Sequence, residues 1–327
     1  MINKILVTGS SGFIGTHLVN SLIVQGYEVY GLDIKLPDFP LNDFHFIKCD
    51  ILNVSELSQV FLDCQPQVVV HLAARTDLEG KGIAEYAANV AGVKNLVEAV
   101  AKTPSVQRCI YTSSQLVCRV GYVPKNDQEY CPNTIYGESK VLSEQIIRQH
   151  DGGGREWCLV RPTTVWGVGM NPHYQRFFRM LCQGKYFHVG RRPLYKSYSY
   201  IGNIIYQFQK LSKAPVEQIQ RRTFYLADYK PIDLNSWVDA FQQELESKPI
   251  HVVPMFLAKN AALLGDLLNT LGFKSFPFNS FRLKNVLTEY QYDLSNTEKV
   301  CGALPYNMEQ GVKETAIWIR TLLNGKG

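Results

Sequence analysis

A tyrosine and a lysine four positions apart, Tyr136 and Lys140, are the residues of this chain best suited to proton transfer. Residues four apart share one face of a helix, so the lysine ammonium would lie beside the phenol. A nearby positive charge stabilises a phenolate and lowers the tyrosine pKa from about 10 towards neutrality. A tyrosine tuned in this way can take a proton from a carbinol or return one. The same spacing recurs at Tyr206 and Lys210.

Position along the chain separates the two pairs. The predicted helix 134–149, which contains Tyr136, follows the predicted strand 108–112 and the pair Ser113-Ser114. Its start therefore lies at the edge of a sheet where strands end. Tyr206 falls in the middle of a later helix, where an aromatic side chain is usually part of the core. Tyr136 is the predicted acid and base.

A second set of residues suits a phosphate group. Gly9, Gly12 and Gly15 stand between an apolar strand and a helix that opens at Phe13 and Ile14. Glycine permits a tight turn and a close approach of a phosphate to the backbone, and the helix start offers free N–H groups. The spacing is one residue wider at its start than that of the commonest dinucleotide fingerprint. This stretch predicts a binding site for the pyrophosphate of a dinucleotide.

An acid follows the glycines at the distance expected of a dinucleotide-binding fold. Asp33 ends a strand about 20 residues after the turn, where a carboxylate can bind the hydroxyls of the adenosine ribose. The same carboxylate repels a 2′-phosphate, so Asp33 favours NAD over NADP as the cofactor. Lys35 weakens this preference slightly, and a solvated turn lysine is the better interpretation of it. A bound nicotinamide cation would also favour the Tyr136 phenolate.

The elements that position these residues alternate along the first half of the chain. Strands are predicted at 5–8, 28–33, 44–48, 67–72, 108–112 and 157–161, and helices from residue 13 and at 55–63, 83–102 and 134–149. Such alternation predicts an α/β fold of the Rossmann type, a doubly wound parallel sheet with helices on both faces. Ligands bind such sheets at the carboxyl ends of the strands.

Beyond Pro162 the alternation fades, and the second half is predicted to be mostly helical. Helices are expected near 172–183, 201–211, 234–246, 254–271 and 308–324, with a short strand at 223–227. This half is predicted to form a smaller C-terminal lobe that binds the substrate. The predicted boundaries are 1–165 for the NAD-binding domain and 166–327 for the substrate-binding lobe, and the elements near 200–230 are open to assignment to either.

Composition excludes several classes of function. The 327 residues are 46% hydrophobic and 19% charged, as in a globular protein, and the net charge of +5 lies in no long run. A nucleic-acid surface is therefore not indicated. The eight cysteines show no C-x-x-C and no metal-ligand spacing, which predicts a reducing compartment, the cytoplasm, and no metal. Polar residues interrupt the apolar stretch 252–272, so it predicts an amphipathic helix and no membrane span.

Together these features resemble the extended short-chain dehydrogenases/reductases, and within them the NAD-dependent nucleotide-sugar epimerase/dehydratase family. The resemblance rests, in chain order, on the glycine turn, Asp33, Cys49-Asp50-Ile51, His71-Leu72-Ala73-Ala74, Thr112-Ser113-Ser114, Tyr136-x-x-x-Lys140 and Arg161-Pro162. It covers nearly the whole chain and is strongest over 1–170. It implies hydride transfer at a sugar carbon and a C-terminal lobe that binds a nucleotide diphosphate.

The resemblance also implies roles for individual residues. Tyr136 is the expected acid and base, Lys140 is expected to lower its pKa and bind the nicotinamide ribose, and Ser114 is the expected catalytic hydroxyl and a substrate contact. The implied cofactor contacts are Gly9, Gly12, Phe13 and Ile14 at the pyrophosphate, Asp50 and Ile51 at the adenine, and Leu72, Ala73, Ala74 and Asn89 along the cofactor, beside Asp33 at the ribose. The implied substrate contacts are Thr163, Thr164, Asn171, Arg282 and Lys196, which stands where the family usually has an arginine on the diphosphate.

Departures from the family narrow the reaction. Its dehydratases have an Asp-Glu pair directly after the catalytic hydroxyl, and its 3,5-epimerising reductases have a cysteine at the second of these positions. Here the two residues are Gln115 and Leu116, and neither titrates. Oxidation or reduction at one carbinol, C4, needs only Ser114, Tyr136 and Lys140. A 4-epimerase or a 4-ketoreductase is therefore expected.

Other classes of function stay open. A hydroxysteroid-type or small-carbonyl dehydrogenase uses the same residues, and the stretch 252–272 would then lie against a lipid surface. A sensor or scaffold protein could bind NAD without turnover, although such proteins commonly lose the tyrosine or the lysine. The resemblance further implies a homodimer through the helices 83–102 and 134–149, whose apolar faces are equally compatible with an ordinary core.

Overall fold

The structure is a computed structural model that describes residues 3–37, 44–170, 172–270 and 278–324. Within these residues the strands are β1 (Lys4–Thr8), β2 (Glu28–Asp33), β3 (Phe44–Lys48), β4 (Val68–His71), β5 (Arg108–Thr112), β6 (Glu156–Pro162), β7 (Thr164–Trp166), β8 (Phe187–Val189), β9 (Tyr195–Lys196), β10 (Tyr198–Tyr200), β11 (Arg222–Leu226), β12 (Ile232–Asp233) and β13 (His251–Val253).

The helices of the same residues alternate with the strands in the first half and predominate in the second. They are α1 (Phe13–Val24), α2 (Val54–Cys64), α3 (Val93–Lys102), α4 (Ile135–Gln149), α5 (Asp151–Gly154), α6 (Pro172–Cys182), α7 (Ile201–Lys213), α8 (Val216–Ile219), α9 (Leu234–Glu244), α10 (Met255–Thr270), α11 (Ser280–Leu287), α12 (Ser295–Cys301) and α13 (Met308–Asn324). Within the described ranges, none of them has the length and apolar character needed to cross a membrane.

Seven strands form one parallel sheet in the order β11-β6-β5-β4-β1-β2-β3. The chain runs from β1 outward to β3, then returns to the other side of β1 and continues through β4. Thr8 at the end of β1 lies opposite Leu32 of β2 and His71 of β4. At such a change of direction the loops after the strands part and leave a crevice. The predicted Rossmann-type, doubly wound parallel sheet is confirmed.

The central strands are apolar along their length, as is usual for parallel strands covered on both faces. Leu6 of β1 and Val69 of β4 are completely buried. They belong to one apolar cluster with Phe61 of α2 and Leu96 of α3. Helices α2 and α3 pack against each other, and so do α1 and α7. The hydrophobic core thus fixes the strands whose carboxyl ends carry the predicted site.

The predicted helix 83–102 is helical but is not one α-helix. Ile83–Tyr86 is a 3-10 turn, Ala88–Gly92 is a π-turn, and Val93–Lys102 alone is α-helical. Turns of the π type are rare in proteins, and those that occur are frequently found at functional sites. This one contains Asn89, and the apolar periodicity gave no indication of it because the apolar positions keep facing the core on either side.

The other long predicted elements lie within a few residues of their predicted positions. Helix α4 begins directly after Thr134, whose side chain accepts a hydrogen bond from the Gly137 N–H at 3.0 Å and caps the helix. The short strand predicted at 223–227 is β11, whereas the strands of two or three residues in the second half and the helices α11 and α12 were not predicted. Such short elements do not establish a periodicity.

The chain divides into two compact units. One contains Met1–Trp166, Ser199–Tyr229 and Tyr292–Pro305, and the other contains Gly167–Tyr198, Lys230–Gln291 and Tyr306–Gly327. The first unit holds the seven-stranded sheet and the elements near 200–230. In the second unit, Phe178 of α6 packs on Trp237 and Phe241 of α9, with ring centroids 4.6 to 6.1 Å apart. The assignment of the cofactor to the first unit and of the substrate to the second stays a prediction.

Candidate active site

The turn between β1 and α1 and the first turn of α1 each have one position that admits only glycine. Gly9 has a φ of 72°, and a Cβ there would lie 2.6 Å from a backbone nitrogen of the loop after β4. A Cβ on Gly15 would lie 2.1 Å from the Gly9 carbonyl oxygen. Gly12 is the N-cap of α1 and provides no side-chain cap for the helix that opens at Phe13 and Ile14. The N–H groups of its first turn are therefore suited to an anionic ligand.

Asp33 is held beside this turn by two backbone hydrogen bonds. Its Oδ2 accepts from the Ser11 N–H and its Oδ1 from the Lys35 N–H, each at 3.0 Å. A carboxylate has about four acceptor positions, so hydroxyl groups of a ligand can still bind to it. The structure thus brings together the predicted pyrophosphate turn and the predicted ribose contact.

Five further predicted cofactor residues follow β3 and β4. Asp50 is exposed, and Ile51 is buried. Leu72, Ala73 and Ala74 are half-buried and continue directly from β4, whose end is hydrogen-bonded to the end of β1. The loop after β4 therefore runs beside the glycine turn.

Ser114 and Tyr136 come close enough for the serine hydroxyl to act on the ionisation of the phenol. Ser114 follows β5, Tyr136 lies in the first turn of α4, and both are buried. Burial raises the pKa of Tyr136 to about 12, the Ser114 hydroxyl lowers it, and Tyr86 raises it. The expected lowering towards neutrality is absent from the protein alone, because the desolvation of the phenolate outweighs the effect of Ser114.

Lys140 lies one turn after Tyr136 and is only 3% exposed. Its Nζ donates to the Thr112 carbonyl oxygen at 3.0 Å, which holds the amine at the end of β5. Burial lowers the pKa of Lys140 to about 8, and the Glu144 carboxylate raises it. Burial, with the charge of Lys140 second, lowers the pKa of His71 to about 3, so this histidine is neutral.

Asn89 is completely buried and organises the loop after β4. Its Oδ1 accepts from the Arg75 N–H at 2.8 Å, and its Nδ2 donates to the Arg75 carbonyl at 3.0 Å and to Ser139 Oγ at 2.9 Å. Ser139 Oγ in turn donates to the Tyr136 carbonyl at 2.6 Å. The Asn89 amide therefore links the loop after β4 to α4. Ser139 has no motif that would single it out in the sequence.

Among the described residues, four buried polar atoms at the ends of β4, β5 and β6 have no hydrogen-bond partner. They are His71 Nε2, Thr112 Oγ1, Ser113 Oγ and Thr163 Oγ1. They lie at the ends of the neighbouring strands β4, β5 and β6. Buried polar groups are nearly always paired, so this edge is built to receive a polar ligand. With the uncapped start of α1 and the Asp33 carboxylate, the residues present fit a dinucleotide.

The predicted substrate contacts Thr163 and Thr164 follow β6 at the same edge. Gln115 Nε2 donates to Thr164 Oγ1 at 3.4 Å, and Gln115 Oε1 has no partner among the described residues. The sequence identified Gln115 only as a departure from the dehydratases. The structure adds that its buried amide lies against Thr164 and directly follows Ser114, the predicted catalytic hydroxyl.

The remaining predicted substrate contacts come after β6 and β7 in the sequence. Lys196 is buried in the second unit, donates to the Asn285 carbonyl at 3.0 Å and lies 5.6 Å from the ring centroid of Tyr290. Burial lowers the pKa of Lys196 to about 8. Arg282 is exposed on α11. Asn171 lies outside the described residues.

A buried ion pair behind Lys140 was not predicted. Glu144 and Arg161 are both completely buried, and the guanidinium binds the carboxylate with two contacts of 2.8 Å. Tyr130 also donates to Glu144, at 2.9 Å. The four-residue spacing from Lys140 places Glu144 one turn further along the same helix, but Arg161 lies 17 residues from Glu144 in the chain, so no local spacing indicates the pair.

Comparisons with known proteins identify the family of this chain. The chain matches the family model described as the NAD dependent epimerase/dehydratase family over residues 5–189. An N-acetyl-alpha-D-glucosaminyl-diphospho-ditrans,octacis-undecaprenol 4-epimerase of Escherichia coli O157:H7 is 25% identical over 325 residues, 96% of this chain and 95% of that protein. A 3-beta-hydroxysteroid dehydrogenase of Mycolicibacterium neoaurum is 28% identical over 250 residues, 71% of this chain and 68% of that protein.

A solved structure shows the same fold. It is the UDP-glucuronic acid 4-epimerase of Bacillus cereus in complex with UDP-glucuronic acid and NAD. The two chains superpose with a TM-score of 0.75 at 20% identity, over 98% of this chain and 99% of the other.

Proposed function

Because the chain belongs to the NAD dependent epimerase/dehydratase family, we propose that it is an enzyme that uses NAD to epimerise or reduce a nucleotide-diphosphate sugar at one carbinol, C4. The observation that supports this most is the buried contact of Ser114 with Tyr136 at the edge where four polar atoms lack partners. The 4-epimerases among its relatives and structural neighbours support the choice of carbon.

Tyr136 is the proposed acid and base at the sugar hydroxyl. Its Oη takes the carbinol proton during oxidation and returns it during reduction, while Ser114 donates a hydrogen bond to the phenolate. Burial keeps the pKa of Tyr136 at about 12 in the protein alone, so activation requires positive charge close to the phenol. The buried Lys140 ammonium is one source of that charge, and a cationic nicotinamide is another. When bound, NAD supplies the group that accepts and donates the hydride.

The proposed cofactor contacts have the roles that the family resemblance implies. Gly9, Gly12, Phe13 and Ile14 bind the pyrophosphate, Asp33 the ribose, Asp50 and Ile51 the adenine, and Lys140 the nicotinamide ribose, with Leu72, Ala73, Ala74 and Asn89 alongside. NAD is favoured over NADP because the fixed Asp33 carboxylate would repel a 2′-phosphate. Thr163, Thr164, Lys196 and Arg282 are the proposed substrate contacts. The Lys196 ammonium, with three donors, has one of them on a backbone carbonyl.

Location and assembly belong to the same proposal. The eight cysteines are all free, which supports a reducing compartment such as the cytoplasm. A homodimer through the segments 83–102 and 134–149 is proposed from the family resemblance. The first unit is the proposed cofactor domain and the second the proposed substrate domain.

A hydroxysteroid-type dehydrogenase is the second candidate. The identity to the Mycolicibacterium neoaurum enzyme and the exposed apolar side chains of α10 favour it. Both candidates use the same Ser114, Tyr136 and Lys140, so the substrate has to separate them.

One assay distinguishes these functions. The purified protein is incubated with UDP-, GDP-, CDP- and dTDP-sugars, with 4-keto sugar nucleotides and with 3β-hydroxysteroids, each with and without NAD(H) and NADP(H). Conversion of a sugar without net change in reduced cofactor identifies an epimerase, and stoichiometric consumption of NADH by a 4-keto sugar identifies a ketoreductase. Turnover of the steroid alone would replace the leading proposal by the second. Binding of NAD without turnover of any substrate would contradict both.

A further inference from the structure

Helix α10 exposes its large apolar side chains and buries its small ones. Five residues, which we call the α10 surface, are between 48% and 64% exposed; they are Phe256, Leu257, Leu263, Leu264 and Leu267. Their positions fall on one side of the helix at 100° per residue. An ordinary surface helix of a globular protein has the opposite arrangement, with its large apolar side chains towards the core.

The buried side of α10 explains why the large residues face outward. Ala258, Ala262 and Gly265 are its buried residues, and the two alanines pack with Leu283 of α11 in a small apolar cluster. Small side chains let the two helices approach closely. The leucines of α10 lie outside this contact and stay exposed. Phe281 of α11, 69% exposed, adds a further large apolar side chain to the exposed part of the same pair of helices.

Positive charge accompanies this apolar area. Lys259 of α10 and Lys284 of α11 are exposed, as is Arg282, which the proposed function assigns to the substrate. The one acid in these two helices, Asp266, is half-buried and accepts a hydrogen bond from the Ser280 N–H at 3.3 Å. The described residues of the helix pair therefore present cations beside apolar side chains, on a chain with a net charge of +5.

This combination suits one kind of partner. Protein interfaces are enriched in aromatic residues, Met and Arg and depleted in Lys, whereas exposed leucines with lysines beside them on one helix are typical of helices that lie in a membrane interface. Lysine stems can extend along apolar surface while their ammonium groups reach lipid phosphates. A symmetric contact between two copies of this surface would bring like charges together.

We propose that the α10 surface binds the anionic surface of a lipid bilayer. The apolar side chains enter the boundary between headgroups and acyl chains, and Lys259 and Lys284 contact the anionic headgroups. The protein then lies on the membrane without spanning it. This interaction goes beyond the proposed catalytic function and does not depend on the identity of its substrate.

Vesicle flotation of the full chain tests the proposal. Vesicles of phosphatidylcholine alone are compared with vesicles that also contain phosphatidylglycerol, at low and high salt. The chain is expected to float with the anionic vesicles, and salt is expected to weaken the binding because it screens the lysines. Failure to float with anionic vesicles at low salt would overturn the proposal.

Two variants locate the contact. Leu263→Gln/Leu267→Gln is expected to weaken vesicle binding about tenfold or more, since it removes apolar area that the membrane would bury. The matched control is Val24→Gln/Leu62→Gln, which replaces side chains 88% and 58% exposed in the other compact unit and is expected to bind like the wild type. Equal binding by the two double variants would contradict the assignment to α10.

A variant of two exposed lysines tests the proposal without changing any packed side chain. Lys259→Gln/Lys284→Gln leaves the apolar side chains in place and is expected to weaken binding to anionic vesicles about tenfold, with an unchanged circular dichroism spectrum. Sedimentation velocity is measured for every variant. If the leucine variant changes the oligomeric state and the wild type does not float, the α10 surface is an interface between copies and the proposal is wrong.

Discussion

Two tyrosine–lysine pairs with the same spacing have different environments in this protein. Tyr136 and Lys140 on α4 are both buried, at the edge of the sheet where β5 ends. On α7, Tyr206 is half-buried and Lys210 is exposed, with its Nζ 5.2 Å from the centroid of the tyrosine ring. The spacing places each lysine one helical turn after its tyrosine. Of the two pairs, the one on α4 lies against the end of β5. There Ser114 supplies a hydroxyl, the Thr112 carbonyl binds the lysine, and burial excludes water.

The neighbours of the two pairs account for the difference. Ser114 reaches the phenol of Tyr136, and the Thr112 carbonyl fixes the amine of Lys140. One turn further along α4 stands Glu144, whose carboxylate raises the pKa of Lys140. The equivalent position one turn after Lys210 is Ala214, so α7 offers no such charge. The comparison predicts that matched substitutions in the two helices have unequal effects.

The largest expected effect is that of removing the phenol. Tyr136→Phe is expected to lower kcat by about 10²–10⁴-fold, the usual contribution of a general acid or base, while NAD still binds. Tyr206→Phe is expected to leave kcat unchanged. Initial rates on the substrate found in the assay above, with NAD binding measured by calorimetry, check both. Full activity of Tyr136→Phe would remove the distinction between the two helices.

Removal of the ammonium is expected to have the next largest effect. Lys140→Met eliminates a charge-assisted hydrogen bond to the Thr112 carbonyl, of roughly 1.5–3 kcal/mol, and is expected to lower kcat/KM by about 10- to 100-fold. Lys210→Met loses an exposed charge and is expected to match the wild type. Steady-state kinetics of the two variants test this directly. The comparison would be wrong if Lys210→Met were the more damaging change.

A pH profile sharpens the comparison further. Burial lowers the pKa of Lys140 to about 8 and Glu144 raises it, so Glu144→Gln should lower this pKa more. The profile of kcat/KM reports ionisations of the free enzyme, and its alkaline limb is therefore expected to move to lower pH. Glu144→Asp, which keeps a carboxylate, should restore part of the shift, whereas a purely structural role of Glu144 would leave the limb in place.

The same variant is expected to lose stability. Glu144→Gln leaves the buried Arg161 guanidinium without its carboxylate, a change that costs about 3–5 kcal/mol in comparable buried pairs. Urea unfolding measures this loss. The control is Arg221→Gln, which breaks the exposed ion pair of Arg221 with Asp151. It is expected to change the free energy of unfolding by less than about 1 kcal/mol.

The smallest expected effect concerns Ser139. Ser139→Ala removes the hydroxyl that links Asn89 to the Tyr136 carbonyl, and the free energy of unfolding should fall by about 0.5–1.5 kcal/mol with a loss of a few fold in kcat. Gln209→Ala, which removes a hydrogen bond from α7 to α1, is the control and should lower stability without changing kcat. Equal effects on kcat would show that Ser139 has no positioning role.

Much of the first half of the fold follows from local pattern. Apolar runs, glycines and helical periodicity predicted a doubly wound parallel sheet, six of its seven strands and the helices between them, because these elements are long enough to show a pattern. The π-turn at Asn89, the 3-10 turn before it and the short strands of the second half have no comparable pattern. The partners of Asn89 and Glu144 are also distant in sequence, so no local pattern contains them.

The sequence by itself determined which residues can do chemistry: a glycine turn for a pyrophosphate, an acid for a ribose, and a hydroxyl, a tyrosine and a lysine for a carbinol. The glycines, the acid and the tyrosine–lysine pair follow from spacing along the chain, and the hydroxyl follows from the family resemblance. Only the tertiary structure decided which tyrosine–lysine pair is enclosed, and that burial holds the pKa of Tyr136 at about 12 and lowers that of Lys140 to about 8. Desolvation depends on everything that packs around a group, and the packing partners come from strands and helices far apart in the chain.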